Sequence, residues 1–184
     1  MPGDLPKRLT LTINSRPYLY DLGEASSYSA HEHQKLIRWN VLSNTNPTKR
    51  HEIYRSIFSL MRGLLPADRK EVLKIIVTWA GQPVSGRSTH RALDVEDVKS
   101  LASGSIIEIG SHTVGHPLLA SLSMAEQERE IGESKKSLER IVGKTVDNFA
   151  YPYGTESDFT GETVDKVCAM GYRCACSTRA GVVE

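Results

Sequence analysis

The stretch Glu108-Ile109-Gly110-Ser111-His112-Thr113-Val114-Gly115-His116-Pro117 decides how this chain is read. It begins at the end of an apolar run, residues 105–109, whose branched residues predict a strand. Its two histidines, four apart, then fall in the loop leaving that strand. In βα architectures the loops at strand C-terminal ends build the ligand site. A neutral imidazole is a good zinc ligand, and a spacing of four can bring two of them onto one ion. Taken alone, H-x-x-x-H describes two solvated or hydrogen-bonded loop histidines equally well.

Reading downstream, Ser123-Met124-Ala125-Glu126 fits a capping box, and the helix behind it carries Ile131, Leu138, Ile141 and Val142 on one side. Gly143 can end that helix. Residues 147–151 read as a second strand, which runs into Phe149-Ala150-Tyr151-Pro152-Tyr153-Gly154. Pro152 stiffens this turn, and Gly154 lets the backbone bend close to a ligand. Backbone N–H groups in such a bend can stabilise an oxyanion; the same residues also suit an apolar turn packed on a neighbour. Val164, Val167 and Cys168 mark another helix, ended by Gly171, and residues 172–177 form a third strand. Strands alternating with helices imply parallel βα units.

Upstream the style differs. Asp94 is placed to cap a short helix with Val95, Val98 and Leu101. Residues 1–22 read as a hairpin, with Leu9, Leu11 and Ile13 alternating and Pro17 keeping one strand at an edge. Residues 23–91 read as helical: a short helix over 31–44, then stripes at Ile53, Ile57, Leu60, Met61 and Leu64 and at Val72, Ile75, Ile76 and Trp79. Within it, His31-Glu32-His33, His51 and His90 read as polar helix-start or surface residues, and Trp39 and Trp79 as core. Residues 92–184 hold the βα pattern.

The chain has 184 residues with a formal net charge of +1, 39% hydrophobic and 24% charged residues. That excludes a disordered tail and strong non-specific attraction to nucleic acid or anionic membrane. Basic residues of 49–74 are interleaved with acids, which argues against a DNA-binding helix pair. No run reaches a membrane span, and no secretory leader is visible, so the default location is cytoplasmic. Cys168, Cys174 and Cys176 read as reduced thiols partly buried in a strand.

Strand, S-H-T-x-x-H-P, capped helix, strand, F-A-Y-P-Y-G, helix, strand: this order resembles the polysaccharide deacetylase family, also called the NodB homology domain or carbohydrate esterase family four. The resemblance covers roughly residues 92–181 and implies a partial (β/α) barrel, an α/β fold, with residues 23–91 as a helical insertion. It implies a hydrolase that removes N- or O-acetyl groups from a glycan with a divalent metal, usually zinc. His112 and His116 then correspond to the two metal-binding histidines, and Tyr153 to the backbone oxyanion donor. Tyr151, Pro152 and Gly154 correspond to the substrate side of the bend.

Other parts of the family pattern have no counterpart. The family's T-F-D-D strand supplies a general base and a third metal ligand, but the chain has no Asp-Asp pair. The family's late L-x-H supplies a general acid, but no histidine follows His116. Ala150 stands where many members carry an arginine. Losses at both ends with an intact middle suggest a fragment that is inactive alone, and an incomplete barrel favours self-association. The alternative is a non-catalytic carbohydrate- or metal-binding module of the same fold. Glu108, inside the apolar run, is a weaker candidate for the site.

Overall fold

The computed structural model describes residues 4–86 and 88–180. The chain divides into two compact units, one up to Ser85 and one from Gly86.

In the first unit, β1 (Arg8–Ile13) and β2 (Arg16–Asp21) pair antiparallel from Arg8↔Asp21 to Ile13↔Arg16. Asn14 and Ser15 both take positive φ, 50° and 63°, as a two-residue hairpin loop requires to match strand twist. Period-two alternation turns Leu9, Leu11 and Ile13 inward. They meet Val72 of α3 (Pro66–Trp79), with Ile57, Leu60 and Met61 of α2 (Lys49–Arg62) packed alongside. Pro66 opens α3, where its missing N–H costs nothing. The Trp79 indole donates to the Arg8 carbonyl at 2.6 Å, so Trp79 is part of the core.

The first helix is shorter than its sequence suggests. α1 (Ala30–Leu36) starts at a capping box between Ser29 and Glu32 but does not continue to residue 44. Ile37, Val41 and Leu42 are 69%, 52% and 88% exposed, so no packed face supports further turns. The Asn40 carboxamide instead accepts from the Leu42 N–H, and Arg55 holds the carbonyls of Val41 and Ser43.

The second unit holds α4 (Val95–Ala102), α5 (Met124–Val142), β3 (Asn148–Ala150), α6 (Gly161–Ala169) and β4 (Cys174–Cys176). Asp94 caps α4, Ser123 and Glu126 close a capping box on α5, and Gly143 ends α5 at φ 70°. β3 and β4 pair parallel around α6, from Asn148↔Cys174 to Ala150↔Cys176. The core is Leu119, Ile131, Val146, Phe149, Tyr151, Val167 and Tyr172.

Residues 105–109 form no strand, contrary to the sequence expectation. Only Ser111 bridges, in parallel, to Phe149. Ser111 donates to the Asn148 carbonyl and the Ala150 N–H donates to Ser111 oxygen, both at 2.8 Å. Before it the segment lacks a ladder: Ile106 is 96% and Ile107 47% exposed. Two separate two-stranded sheets are therefore present among the described residues, with no closed barrel. The architecture is mixed helix and sheet with a parallel βαβ element; the barrel itself is not formed. The cysteines are free thiols, as expected, with Cys174 and Cys176 on β4 and Cys168 on α6, but all three are exposed and not partly buried. Among the described residues no helix is long and apolar enough to cross a membrane.

Candidate functional site

The loop after Ser111 owes its shape to two residues in left-handed backbone geometry, Thr113 at φ 65° and His116 at φ 53°. Such angles are uncommon for residues bearing a Cβ and persist only where the surroundings enforce them. Here the His116 N–H donates to the Thr113 hydroxyl at 3.1 Å, and Pro117 is fully buried behind it. The result turns both imidazoles to one side, with ring centroids 4.7 Å apart at 74°.

The His112 ring is further fixed by the strand below. Its Nδ1 lies 2.7 Å from the Ala150 carbonyl, which can only accept, so Nδ1 carries the proton. In the neutral ring that leaves the lone pair on Nε2, the arrangement by which a histidine is usually held for metal ligation.

The bend at residues 151–154 closes the other side. Tyr153 is left-handed at φ 62°, and its ring stands edge-on to His116 with centroids 4.7 Å apart. Tyr151, Pro152 and Gly154 are buried beneath it. The Tyr151 ring stacks on Phe159 at 4.0 Å and meets Phe149 edge-on at 5.2 Å, and burial raises its phenol pKa. Gly154 has φ 75°, and a Cβ there would lie 2.8 Å from the Thr178 nitrogen. The close approach that demands glycine is thus a chain crossing. The Thr178 N–H donates to Gly154 oxygen at 3.0 Å, and its hydroxyl to Tyr153 oxygen at 3.1 Å.

Several supporting residues escape the sequence reading. Glu130 on α5 is 7% exposed, and its Oε2 accepts the N–H groups of Val114 and Gly115 at 3.0 and 2.7 Å. One turn on, Ser134 accepts from the Ser111 hydroxyl at 2.7 Å. Buried Asp158 accepts from the Thr155 N–H and hydroxyl at 2.8 and 2.6 Å. A signal for the first two exists: Gln127, Glu130 and Ser134 share the helical face of Ile131, so polar side chains sit on a core-facing stripe.

The sequence-predicted residues divide accordingly. His112, His116 and Tyr153 come together, and Tyr151, Pro152 and Gly154 underlie them. Glu108 is exposed. His33, Trp39 and His51 line a separate cavity of about 290 Å³ in the first unit, with Tyr28 and Tyr54. As donors, His112 and His116 suit a divalent ion by the fixed tautomer of His112 and the proximity of the two rings. Among the described residues no group of three or more His, Cys, Asp or Glu is placed to share a metal.

A family model described as Polysaccharide deacetylase matches residues 75–175. The Bacillus subtilis (strain 168) protein YxkH, named a putative polysaccharide deacetylase, is 28% identical over 119 residues, 65% of this chain. The chain spans 40% of the length of that relative. A solved structure, the Streptococcus pyogenes deacetylase PplD in complex with acetate, superimposes with a TM-score of 0.46 at 20% identity. That superposition covers 74% of this chain and 66% of the other.

Proposed function

Because the chain belongs to the polysaccharide deacetylase family, we propose that the His112–His116 loop is the metal-binding side of a deacetylase site and the 151–154 bend its oxyanion side. The substrate class is an acetylated polysaccharide or glycan. The observation that carries the reading is the meeting of two imidazoles at 4.7 Å with Nδ1 of His112 held on the Ala150 carbonyl. His112 and His116 would hold a divalent ion, zinc by analogy with the family, which when bound would supply Lewis acidity toward the acetyl carbonyl and water activation near neutral pH. The Tyr153 backbone N–H, at the left-handed bend, is assigned as the donor to charge developing on the carbonyl oxygen. Tyr151, Pro152 and Gly154 shape the substrate-facing bend from beneath.

A second reading is supported by the absence of a third ligating side chain among the described residues. With no Asp-Asp pair and no histidine beyond His116, this chain lacks the family's base and acid. It then acts as a metal- or glycan-binding module with little turnover of its own. One experiment decides both points. Titration with Co²⁺ and with Zn²⁺ is expected to show weak binding that falls at least about tenfold in His112→Ala and in His116→Ala. Acetate release from an acetylated chito-oligosaccharide is expected to stay near background. Robust release, lost in His112→Ala, would establish the enzyme over the module. Metal binding unchanged in both histidine variants would end the metal reading.

A further inference from the structure

We propose that Glu130 is the positioning residue of the candidate site: its carboxylate, reaching from α5, sets the loop geometry that keeps His112 and His116 ring to ring. The metal consequence of this inference rests on the deacetylase reading, while the positioning itself does not.

The loop 112–116 relies on contacts from outside itself. It contains two left-handed residues with side chains, Thr113 and His116, bracketing two peptide N–H groups that belong to no helix or ladder. Both N–H groups, those of Val114 and Gly115, point at the same oxygen, Oε2 of Glu130, at 3.0 and 2.7 Å. A carboxylate accepting two backbone N–H bonds binds them more strongly than a neutral acceptor would. Burial of Glu130, only 7% exposed, raises the stakes, because its carboxylate cannot exchange these N–H groups for water without leaving its place on α5. The N–H groups lie in the two residues between Thr113 and His116, so the clamp acts where the chain reverses between the imidazoles.

The clamp has a second point one helical turn away. Ser134 accepts from the Ser111 hydroxyl at 2.7 Å, and Ser111 is the residue stitched to β3. Glu130 and Ser134 stand four apart on α5 with Ile131 buried between them. The helix thus holds the loop at its root and at its apex. Ser134 fixes where the loop starts; Glu130 fixes which way it turns. A buried carboxylate is costly to retain for stability alone. Two charge-assisted bonds to a strained loop beside the histidine pair give it a role.

Glu130→Gln and Glu130→Ala are compared with Ile131→Val, which weakens the same helix face without touching the loop. In metal-free protein, amide exchange at Val114 and Gly115 and the nuclear Overhauser contact between the His112 and His116 rings are read by NMR. Glu130→Gln is expected to speed exchange at both amides at least about tenfold and to abolish the ring–ring contact, and Ile131→Val to leave both as in the parent. Should Glu130→Ala unfold, Glu130→Gln, which keeps the side-chain length, supplies the result. A folded Glu130→Gln with the parental contact and parental exchange overturns the proposal. So does an Ile131→Val variant that loses the contact equally. In a parallel titration Co²⁺ affinity is expected to fall about 10–100-fold in Glu130→Gln, as for other groups that orient metal ligands. Failure of the parent chain to bind Co²⁺, with the ring contact still lost in Glu130→Gln, would remove the metal reading and leave the positioning role standing.

Discussion

Thr113, His116 and Tyr153 are left-handed residues without the excuse of being glycine, and all three border the candidate site. Backbone held in such regions costs on the order of 1–3 kcal/mol each and needs surroundings that over-determine it. Here those surroundings are the Thr113 hydroxyl, the Glu130 carboxylate and Thr178. Gly154 shows the opposite case, where only a missing Cβ allows the crossing. Gly154→Ala places a methyl 2.8 Å from the Thr178 nitrogen at φ 75°, and it should lower unfolding free energy by more than about 1 kcal/mol in a urea titration. The sequence exposes His112, His116 and Gly154 as motif residues. It marks Glu130 only as a polar residue on the core-facing stripe of α5, and it hides Thr178, whose work is long-range hydrogen bonding with no local spacing to mark it.

His51 offers a pH test at the same scale. Burial, with Arg50 and Arg55 nearby, holds its pKa below the ordinary 6.5. The folded chain therefore takes up this proton later than the unfolded chain as pH falls. The stability it confers is full above about pH 6.5 and is lost as pH falls through the lowered value. The urea midpoint of the first unit should fall between about pH 7 and pH 5, and His51→Gln should flatten that slope.

At the scale of elements, caps decide what the sequence makes legible. Ser123 and Glu126 start α5, Gly143 stops it, and Asp94 and Asp97 start α4. These signals are local, so sequence alone reveals them. Hydrogen bonding to Arg91 and then to the Asp94 N–H draws the Asp97 carboxyl down to about 2. Ser123→Ala should cost about 1 kcal/mol of stability, measured by thermal unfolding with α5 helicity followed by circular dichroism. Residues 37–44 and 105–109 depart from the sequence reading for the opposite reason. Their apolar residues suit a helix and a strand, but neither segment finds a neighbour to complete it. Residue type records preference; packing grants the element, and Ile37 and Ile106 are both left open.

For the whole molecule, each unit carries its own core, one around Leu9, Leu11 and Val72 and one around Ile131, Phe149 and Val167. The parallel βα order of the second unit is readable from periodicity. Closure into a barrel is not a property of any segment, and the described strands do not provide it. The unladdered stretch at 105–109 leaves Ile106 and Ile107 open to solvent, and unpaired backbone with apolar side chains invites pairing between chains at such an edge. Ile106→Lys should therefore shift sedimentation of concentrated protein toward the monomer, and unchanged sedimentation of a self-associating parent would exclude that edge.

Cys174 and Cys176 stand two residues apart on β4, both open to solvent, with Cys168 exposed on α6. Accessible thiols of this kind oxidise in air and exchange into mixed disulfides. Aerated samples should accumulate covalently bridged chains that a reducing gel resolves to one band, so mass measurements of any assembly require a thiol reductant to separate chemical cross-links from true association.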